Sequence, residues 1–198
     1  MSPIILGITG GIGSGKSVVC RLLQLMGVPV YSSDDETKRL MVRDEVIRAG
    51  LISLLGPEAY QGEALNKPLI AKYLFAYADH AATINALIHP RVKQDFRRWV
   101  ADHAGHPVVA IESAILVEAG FTDVVDSVVL VTAPLETRIR RAMQRDAASR
   151  QQIEQRVERQ MADEERSSTA HHIIQNDDFV PLIPQVLALI ASLLGNND

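Results

Sequence analysis

Gly10-Gly11-Ile12-Gly13-Ser14-Gly15-Lys16-Ser17 fits the pattern Gly-x-x-x-x-Gly-Lys-Ser. Its flanks agree with it. Ile4–Thr9 is a short apolar run of the kind that forms a buried strand. From Ser17 to Met26 the chain reads as a helix, with Val18, Leu22, Leu25 and Met26 at helical spacing. Strand, glycine loop and helix together make a phosphate-binding loop. Glycine tolerates positive φ, so successive N–H groups can turn inward and cradle an anion. The helix start adds its positive dipole end. Lys16 supplies a point charge for the β- and γ-phosphates, and the Ser17 hydroxyl can reach Mg²⁺. A bare glycine-rich turn is the competing reading, and the flanking strand and helix argue against it.

The chain of 198 residues suits one domain, with room for a small inserted lobe. Its 47% hydrophobic content can fill a sizeable core. A net charge of −4 argues against a general nucleic-acid surface, leaving only local basic clusters such as 138–166. Cys20 is the sole cysteine, so no internal disulfide is expected, and it reads as a small buried apolar residue. The N-terminus lacks the basic and apolar regions of a signal peptide, and no run reaches the roughly 18 apolar residues of a membrane span. The expectation is a soluble, cytoplasmic protein with no membrane and no nucleic-acid partner, monomeric or weakly self-associating.

Five strands are expected: Ile4–Thr9, Val28–Ser32, Val108–Glu112, Ser127–Thr132 and a short one at His172–Gln175. Helical segments separate them, which predicts an α/β fold with a parallel sheet covered on both faces. From Asp34 to Gly105 the chain reads as helical, with Glu45–Leu55, Lys67–Ala78 and Ala81–His103 and no convincing strand. Such an insertion can form a helical lobe. Leu135–Arg166 is helical and charged, broken at Asp146-Ala147-Ala148-Ser149 with Ser149 as the next N-cap. That shape suits a mobile lid, or a solvated helix pair. The last helix is expected over Val180–Leu194, with Leu182, Val186, Leu189, Ile190 and Leu193 on its apolar face.

Open parallel sheets bind ligands at the carboxyl ends of their strands. The phosphate loop follows the first strand, Ser33-Asp34-Asp35-Glu36 the second, and Glu112 with Ser113 closes the third. A kinase also needs a group that takes the acceptor proton. Asp34 is the candidate, with helix capping as its other reading. Arg138, Arg141 and Arg145 share a helix face, and guanidinium groups suit a transferring phosphoryl. The alternative is pairing with Glu136, Asp146 or solvent. His171 and His172 would point to opposite faces of a strand, so they cannot share a metal. No protein-held transition metal is expected.

Taken in order, these segments resemble the dephospho-CoA kinase family over nearly the whole chain. Gly7 to Ser17 is very close to the family's opening, and Val30 to Asp34 falls where the family has a strand ending in Asp-Ala-Asp. His89-Pro90 matches a His-Pro pair, and Glu112 to Glu118 is similar to an Asp-x-Pro-Leu-Leu-x-Glu segment. Arg141 to Asp146 fits Arg-x-Met-x-Arg-Asp, Arg150 and Gln160 fit the lid helix, and Ile174 to Asp177 fits a late segment near the adenine.

The resemblance implies a P-loop NTPase fold: three layers α/β/α, a five-stranded parallel sheet, a helical substrate lobe at about 35–105 and a helical lid at about 135–167. The core would be about 1–34, 106–134 and 168–198. The implied reaction moves the γ-phosphoryl of ATP, bound with Mg²⁺, to the ribose 3′-hydroxyl of dephospho-CoA. Asp34, Lys16 and Arg141 would be catalytic, with Asp34 the general base. Gly11, Ile12, Gly13, Ser14, Gly15, Lys16, Ser17, Val18, Arg141 and Asn176 would bind ATP. Asp34, His89 and Glu118 would bind the acceptor, and Ser17 the metal. The chain departs from the family pattern at Ser32, Val18, Ala114 and His171-His172, and keeps Lys16, Ser17, Asp34 and Arg141. The competing readings are another nucleoside or nucleotide kinase, or a nucleotide-dependent switch. A GTPase would carry Asn-Lys-x-Asp, which is absent.

Overall fold

The computed structural model describes residues 2–195 except Ala78. The chain divides into two compact units, Met1–Ser32 with Val100–Asp198, and Ser33–Trp99.

The first unit is built on β1 (Ile4–Thr9), α1 (Lys16–Leu25) and β2 (Val30–Ser32). The second holds α2 (Ser33–Arg43), α3 (Glu45–Leu55), the short strands β3 (Tyr60–Gln61) and β4 (Ala64–Leu65), α4 (Lys67–Ala76) and most of α5 (Asp79–Asp102). The chain then returns to the first unit with β5 (Val108–Glu112), β6 (Ser127–Thr132), α6 (Leu135–Asp146), α7 (Arg150–Glu158), α8 (Asp163–Ser168), β7 (His172–Gln175) and α9 (Leu182–Gly195).

All five long-range strands are parallel, in the order β2-β5-β1-β6-β7. The three central strands, β5, β1 and β6, have the largely aliphatic content of strands buried on both faces. Leu6 and Ile8 of β1, Val108 and Ala110 of β5, and Val129 and Val131 of β6 point to one face. There they meet Val19, Cys20 and Leu23 of α1 and Val186 and Leu189 of α9. On the other face, Leu116 and Val125 close over Gly7. This is the expected P-loop α/β architecture.

Several local expectations change. The buried stripe of α1 is Val19, Cys20 and Leu23, while Val18 and Leu25 are exposed. These buried residues stand at i+3, i+4 and i+7 from Lys16, so the helix turns the Lys16 side toward the sheet. The apolar stripe read from the sequence lies one step around the helix. The second strand starts at Val30: Met26 and Gly27 form the turn after α1, and Val28 and Pro29 lead from it into the strand. The inserted unit contains a two-stranded hairpin, Tyr60–Gln61 with Ala64–Leu65, where no strand was expected. Each strand has only two residues, too few to show alternation. The helix expected to run to Ala78 ends at Ala76, and Ala78 lies outside the described residues. The last helix begins at Leu182, one residue after Pro181, and its apolar face packs as expected.

Within the second unit, Asp44 caps α3 by accepting from the N–H groups of Val46 and Ile47 at 3.0 Å each. The same carboxylate receives Arg91 from α5 at 2.7 Å. The guanidinium of Arg48 stacks over the Tyr60 ring at 4.1 Å, fastening α3 to the small hairpin.

Candidate active site

Gly13 and Gly15 carry positive φ, 74° and 94°. A Cβ at Gly13 would strike the Arg138 carbonyl, and one at Gly15 would strike the Asn176 side chain. The loop thus needs glycine for both conformation and space. Gly15 caps α1 in the left-handed region with no side-chain acceptor, and the first turn of α1 holds no acidic residue. By contrast, the first turn of α2 holds Asp34, Asp35 and Glu36. The positive end of α1 is therefore met by no side-chain cap and no acidic residue in its own first turn.

Lys16 Nζ donates to the carbonyls of Gly10 at 2.9 Å and Gly11 at 3.4 Å, which holds the ammonium along the loop. A cleft of about 250 Å³ opens beside it, lined by Lys16, Ser17, Val18, Glu112, Arg141 and Arg145 among others. Glu112 ends β5 in register with Ile8 of β1 and Ser32 of β2. Cys20 is buried below. Burial, then the Glu112 carboxylate, push its thiol well above the ordinary range, so it is an inert apolar filler as expected.

The three arginines of α6 have separate fates. Arg141 lines the cleft, donates to the Asn176 carbonyl at 2.9 Å and pairs with Asp178. Arg145 also lines the cleft and pairs with its neighbour Asp146. Arg138 is buried and paired with Asp163, so it is a structural arginine rather than part of a phosphate-facing cluster. The separation follows from Asp163 standing on α8, which no local spacing reveals. Asn176 reaches the loop, its Nδ2 donating to the Ser14 carbonyl at 2.8 Å.

Glu118 accepts from Met161 N–H at 3.4 Å and lies 3.6 Å from buried Arg166. His89 and Asp34 belong to the second unit. His89 sits on α5 just before Pro90, and burial followed by the Lys93 charge holds its imidazole below the ordinary value. Asp34 stands inside the first turn of α2, which starts at Ser33, so it is not the capping residue. His171 precedes β7 instead of lying on it, and its Nδ1 accepts from Val128 N–H at 3.0 Å. Among the described residues, no group of three or more His, Cys, Asp or Glu could hold a metal. No described helix is long and apolar enough to cross a membrane.

Asp178 was missed by sequence reasoning. It takes a left-handed backbone, φ 72°, and pairs with both Arg140 and Arg141. Neither property has a sequence signal. Glu112 was readable from its place at a strand end.

A phosphate loop on the first strand of a parallel sheet, with a helical hairpin carrying arginines beside it, defines a P-loop kinase fold. The family model for dephospho-CoA kinase matches residues 4–181. The chain belongs to the dephospho-CoA kinase family. It is 54% identical to a dephospho-CoA kinase of Bacteroides fragilis, over 96% of this chain and 93% of that one. It is 39% identical to one of Porphyromonas gingivalis, over 96% and 94%. A crystal structure of a Thermus thermophilus protein superposes with a TM-score of 0.82 at 30% identity, covering 100% of both chains. The dephospho-CoA kinase of Campylobacter jejuni superposes at 0.70 and 18% identity over 97% and 98%, which speaks for the fold alone.

Proposed function

We propose that this enzyme transfers the γ-phosphoryl of ATP to the ribose 3′-hydroxyl of dephospho-CoA, giving coenzyme A and ADP. The observation that carries the donor side is the acid-free start of α1, opening with Lys16 and Ser17 onto the cleft lined by Arg141. The acceptor rests on membership of the family.

In this reading the N–H groups of Gly13, Gly15, Lys16 and Ser17 serve the β- and γ-phosphates, while Lys16 and Arg141 neutralise charge that spreads over the transferring oxygens. Asn176 braces the loop through Ser14, and the family resemblance assigns its segment to the adenine. Asp34 accepts the proton of the 3′-hydroxyl as its oxygen bonds to the γ-phosphorus and ADP departs. His89 and Glu118 serve the acceptor.

Magnesium enters as part of the donor, MgATP. The residues fit that role: the Ser17 hydroxyl and the Glu112 carboxylate line the cleft, and no described cluster forms a metal cage of its own. A bound magnesium ion screens the phosphate charge.

The substrate assignment is tested by measuring ADP release from MgATP with dephospho-CoA, nucleosides or nucleoside monophosphates as acceptor. Release should depend on dephospho-CoA. Equal or faster release with a nucleoside or nucleotide would replace it.

A further inference from the structure

We propose that the lid hairpin α6–α7 holds the tip of the phosphate loop in shape, and that Gln160 is the positioning residue for it. The inference goes beyond the transfer reaction and rests on the reading that this loop binds ATP.

Two contacts at Ile12 carry it independently. The Ile12 N–H donates to Gln160 Oε1 at 2.8 Å. The Ile12 side chain packs on the lid's own small core, where Ile139, Ala142 and Ile153 are buried. One residue of the loop is therefore bonded to the lid through its backbone and sealed into it through its side chain. Gln160 stands two residues past the end of α7, so its carboxamide is placed by the lid hairpin.

The flanking glycines are closed against the same support. A Cβ on Gly11 would strike the Arg138 guanidinium, and one on Gly13 the Arg138 carbonyl. Arg138 is pinned by Asp163, which also pairs with buried Arg166. Residues 160–166 thus connect α6, α7 and the loop tip in one packed unit.

The chemistry follows from preorganisation. The loop binds phosphate through backbone N–H groups, whose directions depend on positive φ at Gly13 and Gly15. Flexible glycines hold such a shape only when something outside the loop fixes it. Gln160 satisfies the N–H at the tip, so this end of the loop is set before nucleotide arrives. Losing that bond should weaken nucleotide binding while leaving the transfer step intact.

The test uses Gln160→Met, which keeps length and volume but removes the acceptor, and Gln160→Glu, which keeps an acceptor oxygen at the same reach. Amide hydrogen exchange at Ile12 is read by NMR in the nucleotide-free protein, alongside ATP titration calorimetry and steady-state kinetics. In Gln160→Met, Ile12 should exchange about five-fold faster or more, and ATP affinity fall about five-fold with a matching rise in KM for ATP, the size of one ordinary hydrogen bond. The kcat and the KM for dephospho-CoA should stay within about two-fold, as expected for lost ground-state positioning. Gln160→Glu should restore slow exchange at Ile12.

Unchanged Ile12 exchange in Gln160→Met, or faster exchange with unchanged ATP affinity, overturns the proposal. If Gln160→Met does not fold, the parent decides: Ile12 should exchange on the slow scale of Ile153 in the lid core, and exchange at the solvent rate overturns the contact. A parent that binds no ATP overturns the functional reading instead, and the exchange comparison still decides whether Gln160 holds the loop.

Discussion

Arg138, Arg141 and Arg145 look alike in the sequence, three basic residues on one helical stripe, yet only their partners distinguish them. Arg138 is buried against Asp163, while Arg141 and Arg145 border the cleft. Asp34 raises the same problem in a different form. A carboxylate after a strand reads equally as base or cap, and the start of α2 at Ser33 removes the capping role. Asp34→Asn should therefore abolish turnover while ATP affinity stays near the parent's. Stability should change by no more than about 1 kcal/mol, the worth of a charge in a helix's first turn. Turnover surviving within a few-fold in a kinetic assay would show that Asp34 is not the base. His89 gives a prediction in pH. Burial and then Lys93 lower its native pKa, so below the ordinary value of about 6.5 the unfolded chain takes up a proton that the native one refuses. This contribution to stability is present above that pH and is lost as pH falls toward the native value. His89→Gln should flatten the fall of Tm in that window. An unchanged acid limb would show that His89 is not its source.

Long elements were legible because each shows many turns or pleats of one period. Val108–Glu112, Ser127–Thr132 and Glu45–Leu55 stand as read, and Ser149 caps α7 with a full capping box to Gln152. The hairpin at 60–65 was not legible, since two residues per strand carry no period. The stripe of α1 was misread because Val18, Leu25 and Met26 offer a second apolar row beside the true one. Asp44 links elements in a way visible only in three dimensions. It caps α3 and holds Arg91 of α5 with one carboxylate. Asp44→Ala should cost about 2 kcal/mol in urea unfolding, combining a lost cap with a half-buried guanidinium that loses its carboxylate and keeps its bond to Gln94. Asp44→Asn keeps the cap and should cost clearly less. Equal losses for the two variants would assign the effect to the ion pair alone.

At the scale of the molecule, the sheet-bearing unit holds the phosphate loop, Glu112, Arg141 and Gln160, and the helical unit holds Asp34 and His89. The order β2-β5-β1-β6-β7 sets the loop after the central strand, where three parallel strands end in register. The class of fold was readable from the loop and its flanks. The acceptor was not, because a phosphate loop specifies only what is held, and the ordered set of family segments supplied the rest. The measurement that bears most directly on the account is product analysis by mass spectrometry after incubation of the purified protein with MgATP and dephospho-CoA. The account predicts ADP and a product one phosphoryl heavier than dephospho-CoA, with the new phosphate on the ribose 3′-oxygen. Folded protein that binds ATP but leaves dephospho-CoA unmodified would contradict it.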